Sequence, residues 1–302
     1  MNQQYLSCQL CPRGCKVNRE SGNIGVCGVN SILKVARAAL HFWEEPCISG
    51  ANGSGTVFFS GCSMHCVFCQ NEAIAKGQIG KEISKERLGE IFLELQEKGA
   101  NNINLVTPGQ YVPHIVWAVQ RARKDGLSIP IVYNTSAYES IDTIKRLEGI
   151  VDVYLPDFKY WDSTLASKYS NAPDYPEVAK KAIAEMVRQQ PNPIFYEKEG
   201  QELIQKGVIV RQLLLPGQTE DAKQIVKYLY ETYGNQIFLS LMSQFTPLPH
   251  VEKYPELNKK VSRKEYDAYV DYAIEIGVEN GFIQEEDVAE ESFIPDFNCE
   301  GV

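Results

Sequence analysis

A chain of 302 residues with 44% hydrophobic content can bury one large core, and its length suits one α/β domain with small appendages. The formal net charge of −9, with Lys and Arg scattered rather than massed, argues against an electrostatic nucleic-acid or anionic-membrane partner. The first residues, Met1 to Ser7, lack the charged-then-apolar order of a signal peptide, and no apolar run could span a bilayer, so a soluble cytoplasmic protein is expected.

In chain order, residues 1–30 read as a unit of their own. It carries Cys8, Cys11, Cys15 and Cys27, interspersed with Gly14, Gly22, Gly25 and Gly28. Four thiols at this spacing can close a structural metal site, either tetrahedral zinc or a fully ligated iron–sulfur cluster, and the residues alone do not choose between them. A connecting segment, 31–55, follows; it contains Cys47. From residue 56 short apolar runs alternate with helical periodicity, the mark of βα units around a parallel sheet. Strands are predicted over 56–59, 103–106, 129–133, 151–155, 208–215 and 237–241. Leu88, Ile91, Phe92 and Leu95 repeat at helical spacing before Gly99, and Ile115, Val116, Ala118, Val119 and Ala122 do so before Gly126. Further helices are predicted over 178–188, 220–233 and 263–277. The resulting expectation is an α/β barrel domain over 56–281. A tail over 282–302 should cross the barrel or its mouth; it carries Glu285, Glu286, Asp287, Glu290, Glu291, Phe293, Ile294 and Cys299.

The most specific pattern is Cys62-x3-Cys66-x2-Cys69 directly after the first predicted barrel strand. Three soft thiolates on one loop leave one coordination position open, which suits a [4Fe–4S] cluster with one iron free for a non-protein ligand. A zinc loop would need a fourth ligand, for which His65 is the local candidate. In this run the sequence resembles the radical S-adenosylmethionine (AdoMet) superfamily. The resemblance implies a partial (β/α)6 barrel, a cluster whose open iron chelates AdoMet, and reductive cleavage of AdoMet to a 5′-deoxyadenosyl radical. It also implies that Phe68, just before the third cysteine, packs on the adenine. The Cys-x2-Cys-Pro unit, the Gly53-to-Cys62 run and Cys69-Gln70-Asn71 resemble proteins related to pyruvate formate-lyase activase, the activating enzymes of glycyl radical enzymes. The stretch from Asn71 to Ser84 is too short for the inserted ferredoxin-like unit that many true activases carry.

In a barrel of βα units, ligands meet side chains at the carboxyl ends of the strands. After the second predicted strand come Thr107 and Gln110, where the superfamily often places an acid for the AdoMet amino group; here that acid is absent, and Thr107, Gln110 and backbone carbonyls are the candidate substitutes. Asn134, Thr135 and Ser136 follow the third strand and suit ribose hydroxyls or the AdoMet carboxylate, or else cap the next helix. Asp157 and Lys159 after the fourth resemble the Asp-x-Lys motif of the activating enzymes, and strand alternation puts both on one side. Arg211 on the fifth could clasp the AdoMet carboxylate. The resemblance further implies an external electron donor such as flavodoxin or ferredoxin, anaerobic chemistry, and hydrogen abstraction from a substrate. A glycine of a glycyl radical enzyme is the favoured target. A small molecule or peptide is the alternative, and a non-enzymatic iron–sulfur carrier or zinc-dependent interaction module is the third class.

Overall fold

The computed structural model describes residues 3–284 and 295–302. Among them are ten strands: β1 (Lys34–His41), β2 (Ser54–Phe59), β3 (Lys81–Glu82), β4 (Ile103–Val106), β5 (Ile131–Thr135), β6 (Val153–Pro156), β7 (Ile194–Lys198), β8 (Gln201–Leu213), β9 (Phe238–Met242) and β10 (Gly281–Ile283). The sheet runs in the order β10-β9-β8-β6-β5-β4-β2-β1-β3, with β7 paired to β8 at the side. Every pairing from β2 through β4, β5, β6, β8 and β9 to β10 is parallel, and these strands follow one another across the sheet in chain order. Progress in one direction, with helices as crossovers, is the topology of an open barrel. The helices are α1 (Gln3–Leu6), α2 (Pro46–Ser49), α3 (Glu72–Ala75), α4 (Lys85–Glu97), α5 (Val112–Lys124), α6 (Ile141–Lys145), α7 (Ser163–Ser170), α8 (Tyr175–Gln189), α9 (Thr219–Tyr233) and α10 (Arg263–Glu275). No helix of the described residues is long and apolar enough to cross a membrane.

Alternation along the strands sorts side chains into two layers. Val57, Leu105, Tyr133, Tyr154, Val208 and Val210 join the large core with Leu88 and Phe92 of α4, Ile115 of α5 and Ile183 of α8. Their neighbours in sequence, Val132, Val153, Leu155 and Ile209, form an inner cluster with Cys47 and Ile48 of α2. The α2 carbonyls of Ile48 and Ser49 accept hydrogen bonds from the Asn102 and Asn101 amides, just ahead of β4. This anchors α2 at the amino ends of the strands and leaves the carboxyl ends as the mouth.

The six predicted barrel strands all appear, while the segment read as a connector supplies β1, antiparallel to β2. The sheet therefore starts earlier in the chain than residue 56. Beyond β10, residues 285–294, which include the acidic run, Phe293 and Ile294, lie outside the described residues. The end of the chain lies against β1: the Cys299 N–H donates to the Ala36 carbonyl (2.9 Å), the Ala38 N–H to the Glu300 carbonyl (2.8 Å), and Phe297 meets Phe58 edge-on at 5.4 Å. Gln284, at the opposite side of the sheet, accepts from the Ser243 and Gln244 N–H groups after β9.

Candidate active site at the barrel mouth

The cysteine loop leaves the carboxyl end of β2 through Gly61, whose φ of +89° and distance of 2.6 Å from an added Cβ to the Cys27 carbonyl oxygen leave room only for glycine. Next to it the Cys62 N–H donates to that same Cys27 carbonyl at 3.0 Å. The loop is thus docked on the amino-terminal unit. Cys62, Cys66 and Cys69 lie within electrostatic reach of one another and of Lys159. Sulfur also receives the Met64 N–H at Cys62 (3.4 Å) and the Ser170 hydroxyl at Cys66 (3.1 Å). Burial pushes the Cys62 thiol up to about 11 and the Cys69 thiol well up, with Lys159 opposing both shifts. Thiols this buried ionise when a metal takes them. A soft donor set with N–H, O–H and ammonium groups around it fits an iron–sulfur cluster. His65, the candidate fourth zinc ligand, has its Nε2 2.7 Å from the Val26 carbonyl. Among the described residues no three His, Cys, Asp or Glu are gathered so as to hold a single metal ion.

Phe68 is buried, with its ring centroid 6.2 Å from Tyr160 and 6.1 Å from Phe245. Beside the loop, at the ends of β6 and β8, Asp157 ties two cations: its Oδ2 accepts from Lys159 Nζ (2.7 Å) and its Oδ1 from Arg211 Nε (2.8 Å). These side chains are 22%, 16% and 13% exposed, so this is not a surface ion pair. Burial acts to raise the Asp157 carboxyl, but Arg211 and Lys159 outweigh it and hold it below the usual carboxylate range. Arg211 also donates to the Asn134 Oδ1 (2.7 Å) and to the Glu44 Oε2 (3.1 Å), and the Asn104 amide donates to the Glu44 Oε1 (2.9 Å). Glu44 and its neighbour Glu45 come from the connector ahead of α2; burial raises both carboxyls against the pull of Arg211. Sequence reasoning missed these two acids and Asn104. The signal was present in Glu44-Glu45-Pro46, two charges beside a helix-starting proline, but only the pairing of β1 turns that segment into the barrel.

At the ends of β4 and β5 a cavity opens between the barrel and the amino-terminal unit. Thr107, Gln110 and Ser136 line it from one side, Cys8, Cys11, Cys15 and Cys27 from the other, and Cys62 at its edge. The Gln110 amide nitrogen is engaged by the carbonyls of Ser60 (3.0 Å), Gly61 (2.9 Å) and Thr107 (2.8 Å), so it braces the cysteine loop. Thr107 has φ +55°, an uncommon backbone state for a β-branched residue at a strand end. The other role open to Asn134–Ser136, capping the next helix, falls to Ser140, which accepts from the Thr143 N–H. Glu139 was also missed. It faces the same cavity, its Oε1 accepting from Thr135 (2.7 Å) and Tyr133 (3.3 Å), its Oε2 buried without a partner. Burial drives it up to about 7 against those two hydrogen bonds.

An open parallel barrel with three cysteines on its first loop and charged strand-end residues beside them defines a class of cluster-dependent α/β enzymes. A family profile, Radical SAM superfamily, matches residues 56–229, more than half of the chain, and the protein belongs to that superfamily. Its members are enzymes that carry a [4Fe–4S] cluster and cleave AdoMet reductively. The uncharacterized protein MJ0674 of Methanocaldococcus jannaschii is 25% identical over 277 residues, covering 89% of this chain and 75% of that protein. Among solved structures, methylornithine synthase (PylB) aligns with a TM-score of 0.51 at 14% identity, over 79% of this chain and 66% of that one. Streptococcus suis SuiB bound to S-adenosylmethionine aligns with a TM-score of 0.50 at 14% identity, over 75% of this chain. The chain spans about half the length of SuiB. Likeness at this identity establishes the shared fold.

Proposed function

We propose that Cys62, Cys66 and Cys69 hold the AdoMet-binding [4Fe–4S] cluster and that Phe68, Thr107, Asn134, Ser136, Asp157, Lys159 and Arg211 surround AdoMet, with Gln110 bracing the loop. When bound, the cluster supplies the electron that cleaves AdoMet to a 5′-deoxyadenosyl radical. The observation that carries this reading is the Lys159–Asp157–Arg211 chain of ion pairs at the barrel mouth, within electrostatic reach of the three thiols. Lys159 balances negative charge on the loop sulfurs. Arg211, held from three sides by Asp157, Asn134 and Glu44, presents a fixed fork suited to a carboxylate.

The hydrogen abstracted is assigned to a glycine of a partner glycyl radical enzyme, on the resemblance of the Asp157-x-Lys159 and cysteine motifs to the activating enzymes. An external donor such as flavodoxin or ferredoxin, in a reducing anaerobic cytoplasm, completes the reading. Anaerobic incubation with candidate partner enzymes, AdoMet and reductant tests it by electron paramagnetic resonance. A glycyl doublet that requires Cys62 is expected; AdoMet cleavage with no doublet on any partner would refute this target. A second reading, abstraction from a small molecule or peptide, is favoured by the lumen itself. Three acids, Glu44, Glu45 and Asp157, face two bases, Lys159 and Arg211, and the Glu45 Oε2 is buried without a partner, which suits a cationic substrate group.

A further inference from the structure

Arg19 sits beneath the four amino-terminal cysteines and is 1% exposed. Its guanidinium donates to the carbonyls of Gln110 (2.9 Å) and Asn30 (2.6 Å) and lies over the rings of Tyr5 (4.7 Å) and Tyr111 (5.8 Å). Its Nε has no partner, and the groups that act on its charge most strongly are the Cys27 and Cys8 sulfurs and the Tyr5 hydroxyl rather than a carboxylate. A buried guanidinium without an anion is strongly unfavourable, since carbonyls and ring faces compensate only part of its lost hydration. What it does reach is sulfur: Arg19 donates toward the Cys8 Sγ at 3.7 Å and is within electrostatic range of Cys27.

The other thiols share that surrounding. Cys8, Cys11, Cys15 and Cys27 line one cavity, and a Cβ added at Gly25 would stand 3.4 Å from the Cys27 Sγ and 3.6 Å from the Cys15 Sγ, so the chain passes in contact range of both sulfurs. Four neutral thiols do not balance a buried cation. Four metal-bound thiolates do, because an all-cysteine centre carries net negative charge. Zinc would draw its ligands around one point at about 2.3 Å, and no such gathering exists among the described residues. A cluster spreads its ligands over several irons.

We propose that Cys8, Cys11, Cys15 and Cys27 hold a second iron–sulfur cluster and that Arg19 is its built-in counter-charge, a positioning residue that favours the more negative, reduced state. The inference stands apart from the radical AdoMet reading, because it is tested in protein that lacks the loop cysteines. The full-length Cys62/Cys66/Cys69 triple-Ala variant, purified anaerobically, should retain about four irons per chain with matching sulfide and give a paramagnetic signal on reduction. Zinc, or no metal, overturns the proposal. If that variant does not fold, the unmodified protein decides: about eight irons per chain are expected, whereas about four with or without zinc overturns it. In the same triple-Ala background, or in the intact protein, Arg19→Met should lower the midpoint potential of this centre or release its iron alone, with Arg19→Lys restoring either. Unchanged iron and unchanged potential in Arg19→Met would overturn the counter-charge role.

Discussion

Glu139→Gln offers a quantitative test of the cavity between the barrel and the cysteine unit. The Glu139 carboxyl is raised from 4.5 to about 7 by burial, with the Thr135 and Tyr133 hydroxyls opposing the shift. A raised folded-state value means that the native protein holds this proton more tightly than the unfolded chain, so stability is fully present below pH 4.5 and falls as pH rises through about 7. At about 1.4 kcal/mol for each pH unit of that interval, the ionised form costs about 3 kcal/mol. Glutamine keeps an acceptor for Thr135 and Tyr133 and carries no charge. Urea unfolding at matched metal content, under anaerobic conditions, should show the unmodified protein losing about 3 kcal/mol relative to the variant between pH 4.5 and 8. Parallel stability profiles for the two proteins would show that Glu139 ionises freely and that the cavity is wet, contrary to the account.

Asp157→Ala leaves Lys159 and Arg211 without their shared carboxylate, so AdoMet binding, read by calorimetry, should weaken while the cluster spectrum persists, and folding stability should fall by about 3 kcal/mol; unaltered affinity would remove this network from the AdoMet site. Gly61→Ala places a Cβ 2.6 Å from the Cys27 oxygen at a φ of +89°, costing about 1–2 kcal/mol for the backbone alone. Limited proteolysis should then cut the amino-terminal unit faster, and equal cleavage rates would mean that its docking on the cysteine loop contributes nothing.

The barrel strands were legible because their apolar runs are short, punctuated and separated by helical periodicity, as in 103–106 and 237–241. What escaped was structure made by pairing rather than by local pattern. β1 carries Lys34, Arg37 and His41 and becomes a strand because β2 and β3 flank it. β7 depends on a hairpin turn at Glu199-Gly200, both at positive φ, where only Gly200 announces such a turn. The same holds for the site. Asp157, Lys159 and Arg211 could be read from strand-end position, and the structure brings them into one network with Asn134. Glu44, Glu45 and Glu139 could not, since each enters from a loop whose course is set by tertiary packing. Arg19 is the clearest case, an ordinary basic residue in sequence whose burial beneath four thiols appears only in three dimensions.

The central claim is tested most directly by anaerobic reconstitution of the protein with iron and sulfide, followed by incubation with AdoMet and a strong reductant and quantification of 5′-deoxyadenosine and methionine. The account predicts both products from the unmodified protein and neither from the Cys62/Cys66/Cys69 triple-Ala variant. Cleavage that persists in that variant, or an intact loop cluster that leaves AdoMet uncleaved, would contradict it.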